Sequence, residues 1–204
     1  SRPEDAVVVG QRLGVRGVKA TFDRLGEDVR DREAAIGAAT AAIGLVKLIP
    51  DDLDRNISIK LSSMGQQIDE GFCLENVTRI LDAVREHGGF VRLDMEGSKT
   101  TERTLSLFRK LRVTHENVGI VLQAYLHRTE DDVRAAIERK DRVRLCKGAY
   151  REPEAIAWHD MDLIRESFLR SARLLLESGT YPAIATHDEE LIQATLDFVK
   201  EKGI

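Results

Sequence analysis

Strand-like and helix-like segments alternate six times along this chain, and that alternation restricts its fold more than any other feature. Residues 57–61, Ile-Ser-Ile-Lys-Leu, alternate as a half-buried strand does. Residues 118–122, Val-Gly-Ile-Val-Leu, are near-continuously apolar, as a strand buried on both faces is. Residues 15–22, 90–93, 142–145 and 181–185 also read as strands. Between them Leu74, Val77, Ile80, Leu81 and Val84 recur at helical spacing, as do Leu105, Phe108 and Leu111, and then Leu163, Ile164, Phe168 and Leu175. An Ala-rich helix is expected from a cap at Asp31 to Leu48, before Pro50, and a last helix from Asp188 carries Leu191, Ile192, Thr195 and Val199. Residues 4–13 open the chain as a helix ending near Gly14. Thr129 to Asp132 read as a capping-box-like start, with Asp in the last place.

Strand followed by helix, repeated every 25 to 40 residues or so, builds βαβ units and a parallel sheet. No GxGxxG follows the first strand, so a dinucleotide-binding doubly wound sheet has no support. The expected fold class is α/β: a (β/α)8 TIM-like barrel with about six βα units present, in one partial barrel domain over residues 1–204.

Composition narrows the partners. Net charge is -4 with both signs interspersed, and no basic stripe argues for nucleic acid. Cys73 and Cys146 lack CxxC spacing and suit a reducing, cytoplasmic compartment. The most apolar stretch, residues 34–49, is too short and too rich in Gly and Thr for a membrane span, and Ser1-Arg-Pro-Glu-Asp5 is no signal peptide. His87, His115, His127 and His159 fall at unrelated spacings, so no metal site is expected.

In a barrel, function sits at the C-terminal ends of the strands, and these ends are polar throughout. The first is followed by Leu25-Gly26-Glu27. The others end in Lys60, Asp94, Gln123, Arg144 with the turn Lys147-Gly148-Ala149-Tyr150, and Thr186-His187-Asp188. Gly lets a chain approach a phosphate closely and Lys supplies a point charge, while Arg144 in an apolar strand needs something negative opposite it. Each residue also has an ordinary reading. Lys60 can be a solvated strand terminus, a cation for a carboxylate, or a Schiff-base lysine. Asp94 can simply pair with Lys60 or Arg92, Gln123 is a lone amide, His187 and Asp188 can be an N-cap region, and Tyr150 can be a packing aromatic.

The stretches ISIKLSSMG (57–65), RLDMEGS (92–98), GIVLQAYLHR (119–128), RLCKGAYREP (144–153) and ATHDE (185–189), with LGE (25–27), resemble the FAD-dependent proline dehydrogenases of the monofunctional bacterial type. The resemblance covers nearly the whole chain in order. It implies a distorted (β/α)8 barrel holding FAD at the strand ends. Its reaction would be oxidation of L-proline to Δ1-pyrroline-5-carboxylate by hydride transfer from proline C5 to FAD N5, the first step of proline degradation to glutamate. Electrons would pass to a quinone, with peripheral contact at the inner membrane face. By the same resemblance Asp94 and Arg144 are catalytic, and Lys60 and Tyr150 bind substrate. Met95, Gln123, Arg144, Lys147, Gly148, Ala149, Thr186 and His187 contact the cofactor, and Glu27 is the acid of a gate.

Cys146 stands where relatives usually have Val, and Arg151 where some have Trp or Leu. Ending at Ile204, the sequence is expected to be C-terminally incomplete, without strands seven and eight or the family's terminal Tyr and paired arginines. Two alternatives stand beside the flavoenzyme: a non-catalytic barrel fragment, and a lyase-type barrel using Lys60 as a Schiff base.

Overall fold

A computed structural model describes residues 2–204, in two compact units. The first comprises residues up to 94 together with 103–118, and the second comprises 95–102 and 119–204.

In the first unit, strands β1 (Phe22–Asp23), β2 (Asn56–Ile59) and β3 (Phe90–Leu93) pair in parallel in that order. Ile57 lies opposite Val91, and Ile59 opposite Leu93. Helix α1 (Pro3–Gly14) precedes β1, α2 (Arg32–Leu48) lies between β1 and β2 in the chain, and α3 (Glu70–Glu86) follows β2. Ala35, Ala39, Ala42 and Val46 form the buried stripe of α2, and their small side chains let α3 pack close. Asp31 accepts from Ala34 N at 2.8 Å and Asp69 from Phe72 N at 2.7 Å, so both helices begin on a side-chain cap. The Asp69 cap starts α3 earlier than the apolar periodicity indicates. The expected loop before it contains a turn of 3-10 helix, Leu61–Met64, closed by Gly65 at φ +94°.

The second unit pairs β4 (Val118–Gln123), β5 (Val143–Cys146) and β6 (Ala183–Ile184) in parallel. Helix α4 (Ser98–Arg112), whose first turn belongs to this unit and whose residues 103–112 belong to the first, precedes β4, and α5 (Thr129–Glu138), α6 (Met161–Ser178) and α7 (Glu189–Lys202) follow their strands in turn. Val143 and Leu145 are buried on one face of β5, and α6 packs on this strand through a core that includes Phe168 and Leu175. Arg144 and Cys146 occupy the other face, half-buried.

Several expectations change. Of residues 15–22 only Phe22 enters β1, which it forms with Asp23, because Gly17 turns at φ +74° and Val15 stands 90% exposed. Strand 181–185 shrinks to Ala183–Ile184, since Tyr181 adopts φ +49°, with the Arg142 guanidinium 4.5 Å above its ring. Thr129 is the first helical residue of α5 rather than its cap, and its hydroxyl donates back to Gln123 O.

Candidate active site

The first unit gathers charge around one ammonium. Lys60 directly follows β2, Asp23 ends β1 and Asp94 directly follows β3, whose exit is aligned by Asp94 N donating to Ile59 O at 2.9 Å. Lys60 Nζ lies 3.4 Å from Asp23 Oδ2, 3.4 Å from Asp94 Oδ2 and 3.9 Å from Glu27 Oε1. Burial of this lysine, 15% exposed, works to lower its pKa, but the carboxylates of Asp23 and Asp94 together outweigh it and raise the pKa above the ordinary value. The side chain is therefore a cation across the neutral range. Such a group can take an anion, whereas a Schiff-base nucleophile has to be a neutral amine.

The loop carrying Glu27 is tied down from the 3-10 segment. Asp28 N donates to Ser62 Oγ at 3.1 Å, Ser63 Oγ donates to Gly26 O, and Gln67 Nε2 donates to Asp28 Oδ1 at 2.8 Å. A pocket of 430 Å³ opens beside it, with Leu25, Gly26, Ala38, Ile59, Lys60 and Ser63 in its lining.

The second unit holds the remaining strand-end residues. Gln123 is 3% exposed; its Nε2 donates to Met95 O at 3.3 Å, and its Oε1 has no hydrogen-bond partner among the described residues. Met95 is buried at 5% exposure. Tyr125 N donates to Lys147 O and Ala124 N to Cys146 O, both at 2.8 Å, so the β4 exit runs on beside the β5 turn. Gly148 sits at φ +111° against Tyr125, where a Cβ would lie 2.2 Å from Tyr125 Cδ1. No other residue type fits that turn without displacing the ring.

Lys147 Nζ is 3.0 Å from Asp188 Oδ2, and Arg165 Nε from α6 is also 3.0 Å from that oxygen. Hydrogen bonds from Lys147 and then Arg165 hold the Asp188 carboxyl down to about 2. Asp188 also caps α7 by accepting from Glu190 N, and its own N–H donates to Thr186 Oγ1 at 3.1 Å. His187 and Ala149 are exposed, while Thr186 and Tyr150 are half-buried, Tyr150 Cδ1 standing near Gly97.

Lys60, Asp94 and Glu27 thus stand together, as do Gln123 with Met95 and Lys147 with the Thr186–Asp188 turn. Sequence reading passed over Asp23, although an acidic residue at a strand exit is the same signal that singled out Lys60 and Asp94. It also passed over Arg165, whose helical position carries no local mark, and Tyr125, visible only through the Gly148 it excludes.

A family model described as proline dehydrogenase matches residues 7–204. This chain belongs to that family. Proline dehydrogenase 2 of Bacillus subtilis strain 168 is 37% identical over 195 residues, which are 95% of this chain and 64% of the relative. Proline dehydrogenase of Deinococcus radiodurans is 35% identical over 207 residues, 98% of this chain and 67% of that protein. The chain therefore spans about two thirds of the length of its proline dehydrogenase relatives. Among solved structures, proline utilization A from Bdellovibrio bacteriovorus matches all of this chain with 26% of its own, at a TM-score of 0.90 and 22% identity. The protein of the same name from Corynebacterium freiburgense matches 98% of this chain with 24% of its own, at a TM-score of 0.85 and 20% identity. The fold is thus the α/β barrel type of these proteins, with six βα units among the described residues.

Proposed function

We propose that this chain carries the chemistry of proline oxidation: L-proline to Δ1-pyrroline-5-carboxylate, with a bound flavin as acceptor. The observation that carries this reading is the half-buried Lys60 ammonium held charged between Asp23 and Asp94. In a member of the proline dehydrogenase family, that cation suits the substrate carboxylate. One charge-assisted hydrogen bond of this kind contributes roughly 1.5–3 kcal/mol and fixes the orientation of a small substrate. The surrounding carboxylates leave the cluster net negative, which favours an amino acid bearing a cationic ring nitrogen over a purely anionic molecule. Asp94 is the catalytic acid–base candidate, and Glu27, on its tethered loop, is the candidate gate.

The second unit fits a flavin by the same standard. The unpartnered Gln123 Oε1 suits a ring N–H, while at Gly148 the space a Cβ would need is already held by the Tyr125 ring. When bound, FAD would supply the acceptor for the hydride from proline C5, which carries both electrons of the oxidation. Around it Met95 would pack on the ring, Arg144 would place a positive charge at its reactive end, and Lys147, Gly148 and Ala149 would line its phosphates. Thr186 and His187 would complete these contacts, and Tyr150 would stand by the substrate. Lys147 approaches this role already engaged by Asp188, so its charge is shared rather than open. The electrons would leave to a quinone at a membrane face, from a protein otherwise in the cytoplasm. No helix among the described residues is long and apolar enough to cross the bilayer, so such contact would be peripheral.

Titration of the purified chain with FAD, followed by L-proline under anaerobic conditions, tests the reading. Flavin absorbance should appear with the protein and bleach on adding proline. A protein that takes up flavin but is not bleached by proline would refute the substrate, and one that takes up none would refute the whole assignment.

A further inference from the structure

The connection from β5 to α6 is fastened in its middle to the start of α4. Ser98 N donates to Glu152 Oε1 at 2.6 Å, and Ser98 Oγ donates to Glu152 Oε2. One carboxylate thus caps a helix that begins 54 residues earlier in the chain. Helix N-termini favour negative charge, and α4 has no acidic residue in its own first turn. This non-local cap explains why α4 begins at Ser98, well ahead of Leu105, the first of its apolar residues at helical spacing.

Other ties hold the connection from the opposite side. His159 Nε2 donates to Glu152 O at 2.7 Å, His127 Nε2 donates to Glu154 O at 2.8 Å, and Trp158 N donates to Tyr125 O at 2.8 Å. The His127 and Trp158 rings meet edge to face with centroids 4.2 Å apart. The His159 bond closes the connection on itself, and the His127 and Trp158 contacts fix it to the exit of β4. Glu152 is the group that reaches the 95–98 loop. Tyr125 lies nearby, its hydroxyl pushed up to about 12 by burial first and by the negative charge of Glu152 second.

We propose that Glu152 is a positioning residue that clasps the 95–98 loop to the 147–152 turn and so sets where Met95 and Tyr150 stand. The inference rests on the reading above, in which Met95 faces flavin and Tyr150 faces proline. Glutamine at 152 can still accept from Ser98 N through Oε1 and donate Nε2–H to Ser98 Oγ, which preserves the geometry without the charge. Alanine preserves neither bond.

The test uses the full chain as wild type, Glu152→Ala, Glu152→Gln and Ser98→Ala. FAD affinity is read from flavin fluorescence quenching, KM and kcat from proline turnover, and loop opening from hydrogen exchange over residues 95–98 and 147–160. Glu152→Ala should weaken FAD binding and raise the proline KM by about tenfold each, the equivalent of one lost charge-assisted bond. Its kcat should stay within about threefold, because the reacting groups are untouched. Exchange should speed up over both segments, and Glu152→Gln should recover most of each loss. Ser98→Ala, which keeps the backbone half of the clasp, should shift each quantity the same way by less and serves if Glu152→Ala does not fold. Faster exchange with unchanged FAD and proline affinity would overturn the positioning role, leaving a loop anchor only. A Gln variant as impaired as Ala would overturn it too, since charge and not placement would then be the cause. A wild type that takes up no FAD would sink the functional reading and this inference together, whereas a flavin-binding wild type matched by Glu152→Ala would sink this inference alone.

Discussion

Lys147 Nζ lies 3.0 Å from Asp188 Oδ2, so the lysine of the β5 turn is anchored to the residue that caps α7. Arg165 donates to the same oxygen, and the carboxylate draws two cations from separate elements into one cluster. Asp188 titrates near its ordinary value of 3.8 in the unfolded chain and at about 2 in the folded one. A depressed carboxylate stabilises the fold above its unfolded value, and that contribution is lost as pH falls through the folded value. Asp188→Asn should therefore melt below wild type at neutral pH by a gap that stays constant down to about pH 5 and closes between about pH 4 and pH 2. Thermal melts across that range decide it. A gap independent of pH would mean that the charge is not what joins the three side chains.

Gly148 and Tyr125 are coupled by contact. Alanine at 148 would need φ +111° and would drive its Cβ to 2.2 Å from a ring that is itself buried. Gly148→Ala should cost about 1–3 kcal/mol in denaturant unfolding, from backbone strain and overpacking. Trimming the ring relieves only the second cause. The double variant Gly148→Ala with Tyr125→Ala should then be less destabilised than the sum of the singles by about 0.5 kcal/mol or more. Simple additivity would show that the ring moves aside freely.

Lys60→Met removes the cation while keeping the length of the buried stem. Under the proposed function it should raise the KM for L-proline about 10- to 100-fold, the loss of a charge-assisted bond of roughly 1.5–3 kcal/mol. FAD affinity should be unchanged, because the flavin-side residues belong to the other cluster. A variant that loses flavin and keeps its proline KM would reverse the two assignments.

The sequence was most legible where local pattern and burial agree. The apolar run at 118–122 lies in β4, and the spacing of Val77, Ile80, Leu81 and Val84 is the buried face of α3, with Leu74 half-buried at its edge. The polar strand ends followed from the same reading, and Lys60 with Asp94 proved adjacent because consecutive parallel strands end side by side. Reading failed where the deciding contact is distant or the backbone unusual. Val15 and Val18 look like strand residues, but both stand exposed, and Gly17 turns the chain between them. Nothing near Ser98 announces a cap supplied from Glu152. Asp23 was hidden for a related reason: with the strand placed over 15–22, it looked like the first residue of a loop, when it is the last residue of β1.

Asp23 therefore provides the sharpest test of how Lys60 is kept charged. Burial works to lower the lysine pKa, and Asp23 is the largest of the influences that raise it, followed by Asp94. Asp23→Asn keeps the shape of the side chain and removes its charge, leaving burial opposed chiefly by Asp94. The Lys60 pKa should fall, so that at a fixed mildly alkaline pH a larger fraction is neutral amine. Amine-selective acylation followed by peptide mass spectrometry reads this directly, because only the neutral form reacts. Lys60 in Asp23→Asn should be labelled faster than in wild type, and its labelling curve should move to lower pH. Asp94→Asn should do the same to a similar extent, since both oxygens stand 3.4 Å from Nζ. Stability carries the matching sign: a raised lysine pKa stabilises the fold below its unfolded value of 10.5 and ceases to do so as pH rises through the folded value. The difference in melting temperature between wild type and Asp23→Asn should accordingly narrow in strong alkali. Equal labelling rates in wild type and Asp23→Asn would show that Asp94 and Glu27 suffice to hold the charge, leaving Asp23 only a structural neighbour.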